Sequence, residues 1–436
     1  MGDDPCVAWK TQARKTKSSL SFVLIKALGL CRNRAPISTS NFLTMHFLQT
    51  LTASLLLTGS SLCAGATGTG HKGSHEAIAP KVFIVSMFAP EAEAWWNIPE
   101  FDLLAHNITI PGLSPLFPDV HCTEDYEVCQ LITGEGEINA AATVTSVAFS
   151  PLFDLTQTYF FVAGIAGINP KKASTGSATF ARYAVQVALQ YEIDIRELPS
   201  NYSTGYVAQG TNFPGQYPTS IYGTEVFEVN AELRTIAANF ARKANLSDST
   251  IAQAYRARYK TPSGKYKAAT LPPSVIECDV ATTDVYFSGN ILGSVFENTT
   301  KVLTNGTGEY CASAQEDNAT FEVLLRSSIY KLTDFSRIIV MRTASDFDRP
   351  YPGASATYNL FQSSEQGAFE PAIKNLYVAG IKVVEGILDG WDETFAAGIE
   401  ASNYIGDIFG SLGGVPDFGP GRKQALIGGG AYKRNV

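Results

Sequence analysis

The pair Ser345-Asp346 lies just beyond a run of apolar β-formers, Ile338-Ile339-Val340-Met341, with Arg342, Thr343 and Ala344 between. In an α/β protein a buried strand delivers polar groups to a pocket at its carboxyl end. Placed there, Asp346 would handle the most basic atom of a ligand. The plainer alternative is a strand that ends in a capped turn. A second set of acids, Glu91 and Glu93, follows Pro90 shortly after the apolar stretch Lys81-Val82-Phe83-Ile84-Val85. These carboxylates either complement the dipole of a new helix or set one acid over a pocket. Two glycine clusters also follow apolar stretches. Gly134-Glu135-Gly136 would let backbone approach a ligand, although it lacks the third glycine of a dinucleotide fingerprint. Gly164-Ile165-Ala166-Gly167 fits either close ligand approach or tight packing.

Positioning such groups takes alternating strands and helices, which makes the class α/β. Strands are expected at 81–85, 126–132, 158–162, 177–190, 275–278 and 337–341. Helices are expected after Pro90 and over 140–149, 225–244, 313–330, 366–388 and 393–408, with Gln315-Glu316-Asp317 opening the third of these ranges. Residues 98–120 read as a Pro-rich loop and 198–224 as a lid-like loop rich in Gly, Pro, Tyr and Asn.

The chain has 436 residues, 45% hydrophobic and 17% charged, enough to build a sizeable core. Met45 opens a segment with an apolar stretch, Phe47–Leu57, and an Ala64-Gly65-Ala66 cleavage signature, the pattern of a secretory signal peptide. The organisation expected is an extension (1–44, mis-assigned or disordered), a signal peptide (45–66), a flexible lead-in (67–79), one domain at 80–412 with an insertion or lid at 198–273, and a tail (413–436). Residues 1–66 hold seven basic and two acidic side chains, so the remainder carries a net charge of −13. That surface disfavours nucleic acid and anionic membranes as partners. Cys122, Cys129, Cys278 and Cys311 remain after the signal. In an oxidising compartment the favoured pairs are Cys122–Cys129 and Cys278–Cys311, each flanking a loop. Sequons begin at Asn107, Asn201, Asn245, Asn298, Asn305 and Asn318. A secreted glycoprotein, free or held at the cell surface or wall, is the expectation.

Taken in order, these stretches resemble the purine nucleoside permease family, which is itself similar to nucleoside phosphorylases and nucleosidases. The resemblance covers roughly residues 81–408. It implies a mixed central sheet flanked by helices, nucleoside phosphorylase-like in type. It implies that Glu91 positions a water, with Glu93 as an alternative register. Gly134 and Gly136, with Asn139, resemble one glycine-rich turn, and Gly164, Ile165, Ala166 and Gly167 the turn that contacts ribose and anion. Asp284, Tyr286 and Phe287 resemble the loop whose aromatic stacks on the base. Glu316 or Asp317 resembles the acid that binds ribose hydroxyls. Ser345-Asp346 resembles the catalytic pair, with Asp346 as the acid that protonates purine N7. Breaking an N-glycosidic bond leaves negative charge on the purine, and a buried carboxylic acid beside N7 neutralises it.

One departure bears on the reaction. Phosphorylases of this kind place a hydroxyl residue in the turn after the strand, often with an Arg before it. The matching positions here are Ile165 and Val162, which offer no side-chain donor to phosphate. Hydrolysis of a purine nucleoside is therefore favoured. The alternatives are nucleoside binding and transmembrane uptake without catalysis, and phosphorolysis. A purine nucleoside is the expected ligand, a membrane transporter and a second copy of the chain are candidate partners, and no cofactor or metal is expected.

Overall fold

The structure is a computed structural model and describes residues 77–362 and 366–419. The expected extension, signal peptide and nearly all of the lead-in lie outside the described residues, as do 420–436 of the tail. Strand β1 (Val82–Ser86) runs into the short helix α1 (Ala89–Glu93). β2 (His106–Thr109) and β3 (Asp119–Cys122) precede β4 (Val128–Ile132) and helix α2 (Glu137–Ala148). The long β5 (Tyr159–Ile168) is followed by β6 (Ala178–Phe180) and β7 (Tyr183–Gln186). β8 (Gln190–Glu192) and β9 (Tyr206–Ala208) form a small separate pair. Then come β10 (Val226–Glu228), α3 (Ala231–Ala241), α4 (Thr250–Ala257), β11 (Val275–Glu277), β12 (Asp279–Thr282) and α5 (Asn290–Leu303). β13 (Tyr310–Ala314), α6 (Asp317–Ile329), β14 (Ile338–Phe347), α7 (Ala356–Phe361), α8 (Phe369–Asp389) and β15 (Gly406–Asp407) complete the described chain.

Among the described residues thirteen strands share one mixed sheet, in the order β15-β10-β7-β12-β13-β5-β1-β4-β3-β2, with β14 on β5 and β6 and with β11 on β6. Its centre is buried on both faces, as continuous apolar strands require. Alternate residues feed opposite cores. Phe83, Val85, Phe160, Val162, Ile338 and Val340 pack on one side, where Phe321 and Leu324 of α6 meet them. Val82, Ile84, Tyr159, Phe161, Ile339 and Met341 pack on the other, under α3 and α8. Among the described residues no helix is long and apolar enough to cross a membrane.

Two features of the sheet shape the site. β5 pairs in parallel with β1 through Val162 and with the antiparallel β13 at Gly167 and Ile168, so its edge between those points loses a strand neighbour. On the other edge β14 follows β5 along its length, but Ala344 pairs with Ala166 and Asp346 with Gly167. Ser345 is thus an extra residue, a bulge that re-aims the side chain after it.

Several elements depart from the sequence reading. Residues 163–168 continue β5 rather than forming a glycine turn, because β14 keeps pairing through them. The expected strand 177–190 is broken at Ala181-Arg182 into β6 and β7. The 98–120 loop contains β2 and β3. Ser313 belongs to β13, and the helix after it begins at Asp317. The expected helix 393–408 is absent: a single π turn ends at Phe395, and Gly398 and Gly406 sit at φ +90 and +129, where a helix cannot continue. Residues 198–273 are built into the fold, since they supply β10 to the main sheet and α3 to its helical layer. Both expected disulfides, Cys122–Cys129 and Cys278–Cys311, are formed. Sequon asparagines 107, 201, 245, 298 and 305 are exposed, whereas Asn318 is buried. Its amide donates 2.7 Å to Thr224 O and accepts from the Thr282 hydroxyl.

The expected helix 225–244 is in fact β10 followed by α3. Asn230 separates them: its Oδ1 accepts from Glu232 N at 3.0 Å and Leu233 N at 3.1 Å, and its Nδ2 donates to Ile399 O at 2.7 Å. The cap fixes where the helix begins. Asn230→Ala should destabilise the protein by about 2 kcal/mol, since a buried carbonyl loses its donor along with the cap. Urea unfolding of both forms measures it, and an unchanged midpoint would refute that role.

Candidate functional site

One cavity brings most of the singled-out residues together. Glu91, Ile165, Ala166, Gly167, Tyr286, Phe287, Glu316, Ser345 and Asp346 all line it. Gly134, Gly136, Gly164, Asp284 and Asp317 do not. Met87, Ser313, Arg342 and Asp348 line it as well, without having been assigned a role from sequence.

Glu91 sits where β1 and β5 part. Its Oε2 accepts from Met87 N at 2.7 Å, and its Oε1 accepts from Ile165 N at 2.7 Å. The carboxylate thus replaces the strand partner that β5 loses after Val162. Burial drives its pKa up to about 8, against the opposing pull of Arg342 and of the two N–H donors.

Arg342 is the centre of the polar cluster and is buried on β14. Its Nη2 lies 2.9 Å from Asp317 Oδ2 and 3.3 Å from Glu316 Oε2, and its Nη1 donates to Ile165 O at 3.3 Å. Burial alone would lower its pKa, but Asp317, Glu316 and Glu91 outweigh this and hold it above the usual value. The two neighbouring acids on α6 therefore differ. Glu316 reaches the cavity, while Asp317 is fully buried behind it on the guanidinium. Glu316 is further oriented by Gly136 N, which donates to its Oε1 at 3.0 Å. Burial raises the Glu316 pKa, and Arg342 and that N–H oppose the rise.

The remaining glycines and Asp284 act behind the lining. Gly134 and Gly136 hold φ of +82 and +91 at the entry to α2, the region that favours glycine. Asp284 Oδ1 accepts from Glu137 N at 2.8 Å, at the positive end of that helix. Gly164 faces the cluster directly. An added Cβ would lie 2.5 Å from Arg342 Nη1 and 2.8 Å from Glu91 Oε1.

The Ser345 bulge sends Asp346 into the cavity. The Ser345 hydroxyl lies 2.8 Å from Asp346 Oδ1 and 3.1 Å from Ala166 O. Tyr286, on the exposed rim, hydrogen-bonds the same carboxylate. Burial raises the Asp346 pKa to about 6, with Asp348 adding to the rise and the Ser345 and Tyr286 hydroxyls opposing it. The cavity thus presents two buried carboxyl groups with raised proton affinity, Glu91 and Asp346, and a third, Glu316, locked by Arg342. That set suits proton donation, proton acceptance and the binding of vicinal hydroxyls. Among the described residues no group of three or more His, Cys, Asp or Glu is arranged to hold a metal ion.

Arg342 escapes motif reading because its partners are remote in sequence. A signal exists nonetheless: a cation inside an otherwise apolar strand must be paired. Gly164→Ala tests the cluster's packing. The forced shift should cost about 1–3 kcal/mol and displace Arg342 and Glu91. Thermal unfolding with nucleoside binding in parallel measures this, and wild-type values for both would show that the close approach is unimportant.

Comparison with known proteins agrees with the residue-level resemblance. Residues 79–400 match the family model for purine nucleoside permease. A purine nucleoside permease of Candida albicans is 46% identical over 346 residues, covering 78% of this chain and 83% of that protein. A probable purine nucleoside permease of Schizosaccharomyces pombe is 41% identical over 327 residues, covering 73% of this chain and 92% of that one. Among solved structures, a 5'-methylthioadenosine/S-adenosylhomocysteine nucleosidase from Neisseria meningitidis aligns with a TM-score of 0.43 at 13% identity, covering 71% of this chain and 99% of that one. Futalosine hydrolase of Helicobacter pylori aligns with a TM-score of 0.42 at 13% identity, covering 70% and 98%. By the extent of the family match and by these relatives, the chain belongs to the purine nucleoside permease family.

Proposed function

We propose that this protein hydrolyses the N-glycosidic bond of purine nucleosides, releasing base and ribose, and that it does so as an exported glycoprotein. The observation that carries the reading is the pairing of Glu91 and Asp346 in one cavity with the Arg342-locked Glu316 between them in role. Asp346 donates a proton to N7 as the C1'–N9 bond breaks, so the purine leaves neutral. Glu91 takes a proton from water, whose oxygen bonds to C1'. Glu316 accepts from the ribose hydroxyls, and Tyr286 covers the base from the rim. The expected export signal and the exposed sequon asparagines at 107, 201, 245 and 305 support the location.

Phosphorolysis is the weaker reading. Arg342 is the cation that lines the cavity, and it is already paired with Glu316 and Asp317. The Ile165 N–H, which could have met an oxyanion, is taken by Glu91. The relatives' names favour a second reading, in which the same cavity holds a nucleoside without cleaving it and hands it to a membrane transporter.

Incubation with inosine, with and without phosphate, separates these. Hydrolysis gives hypoxanthine at the same rate in both; tight binding with no free base would establish the uptake reading instead. Asp346→Asn should lower kcat by roughly a hundred- to ten-thousand-fold while inosine binding stays measurable. Undiminished turnover in that variant would remove Asp346 from the chemistry.

The two raised pKa values set the pH dependence. Below about 6 both acids hold protons, so Glu91 cannot accept one from water. Above about 8 neither holds one, so Asp346 cannot donate. Between those limits the shared proton rests mainly on Glu91, so the productive form with the proton on Asp346 is the minor one, and the profile of kcat/KM is still a bell between them, reporting the pair as a unit. A profile flat from pH 5 to 9, units in which ~1 step is a tenfold change in proton activity, would contradict this.

A further inference from the structure

A second cavity, of about 490 Å³, lies between the loop around β8 and β9 and one face of α5. The chemistry of the first cavity leaves it unexplained. Its walls carry the amides of Gln190 and Asn298 and the hydroxyls of Ser203 and Ser294, set against Pro214 and Val295. The acid that lines it, Glu225, already accepts from Tyr222 N at 2.6 Å and Gly223 N at 2.8 Å, and no Lys, Arg or His lines it. The side chains of Asn298 and Ser203 make no hydrogen bond with any described residue, so both remain available to a ligand. Such walls do not select an anion, which would enter without a counter-charge, and the acid present is already held by two backbone N–H donors. They suit a molecule with several hydroxyls and an apolar face.

The position of this cavity adds a second argument. Tyr206 lines it and packs on Phe296 of α5, with ring centroids 5.1 Å apart. Phe296 packs in turn on Phe287 at 4.7 Å, and Phe287 lines the first cavity. On the other side of α5, Glu297 accepts from Arg349 Nη1 at 2.9 Å, and Arg349 holds Asp348, which also lines the first cavity. Gly293 allows this approach, since a Cβ there would lie 2.6 Å from Arg349 Nη2. One helix therefore forms a wall of the second cavity and braces the first.

We propose that the second cavity is a binding site for an uncharged, hydroxyl-bearing small molecule, with nucleosides and free sugars as the two sources of that chemistry. The site does not depend on the hydrolytic reading, because the first cavity can cleave, bind or do neither without altering these walls.

Titration calorimetry on the full chain tests it, with inosine, D-ribose and D-glucose as separate probes. The chain is produced in a host that does not N-glycosylate, because Asn298 is a sequon asparagine and a sugar attached there would fill the same space. Inosine should bind Ser294→Trp in one event fewer than it binds wild-type protein. If free sugars are the source, ribose or glucose should bind wild type once, and at least about tenfold more weakly in Ser294→Trp. Asn298→Trp, at an exposed position of the same helix, is the second block should Ser294→Trp fail to fold. Inosine binding unchanged by both substitutions, with no saturable heat from either sugar, overturns the proposal. Nucleoside turnover, assayed separately, reports on the first cavity alone.

Discussion

A buried guanidinium governs the centre of this protein. Arg342 lies inside the sheet, where an unpaired cation is untenable, so carboxylates must come to it. They come from far along the chain: Glu91 after β1, and Glu316 and Asp317 at the start of α6. Three acids around one cation leave surplus negative charge. Burial, with a smaller contribution from that surplus, raises the proton affinity of Glu91 and Glu316. The cluster thereby ties the parts of the sheet together and also holds acids of raised proton affinity. Asp317 Oδ1 and Arg342 Nε are buried without a partner among the described residues, so the cluster is tightly desolvated rather than fully satisfied.

The sheet makes room for this arrangement by changing neighbours. β5 is bordered first by β1 and later by β13, and Glu91 fills the interval with two backbone hydrogen bonds. On the opposite edge, the Ser345 bulge shifts the register of β14 by one residue at the point where Asp346 is needed. Both devices are irregularities in an otherwise regular core. The remainder of β1, β5 and β14 alternates strictly between two apolar layers and supplies the rigidity that makes those irregularities tolerable.

The central strands were legible in the sequence because burial on both faces leaves little choice but continuous apolar runs. Asp346 and Glu91 were legible because each is an acid just past such a run. Other parts had no local signature. Apolar residues at 395, 399, 405 and 408 imitate helical spacing, yet Gly398 and Gly406 adopt backbone angles that end any helix. Val226-Phe227-Glu228 continues the apolar pattern of the helix after it, and only the Asn230 cap marks the change. The choice between Glu316 and Asp317 depended on which of the two reaches the cavity once both pair with Arg342, a contact between β14 and α6 that spacing cannot express. The 164–167 cluster left ligand approach and tight packing both open from sequence; Gly164 leaves space for Arg342 and Glu91, and Gly136 orients Glu316.

The buried Asn318 has a consequence for how the chain is made. In any compartment that glycosylates sequons, attachment competes with folding while the asparagine is still accessible. A glycan at Asn318 could not be accommodated against Thr282 and Thr224, and it would keep the first turn of α6, with Glu316 and Asp317, from reaching Arg342. A molecule modified there would be stranded before its core closed. In such a compartment α6 would have to dock against β12 before the modifying machinery reached that asparagine.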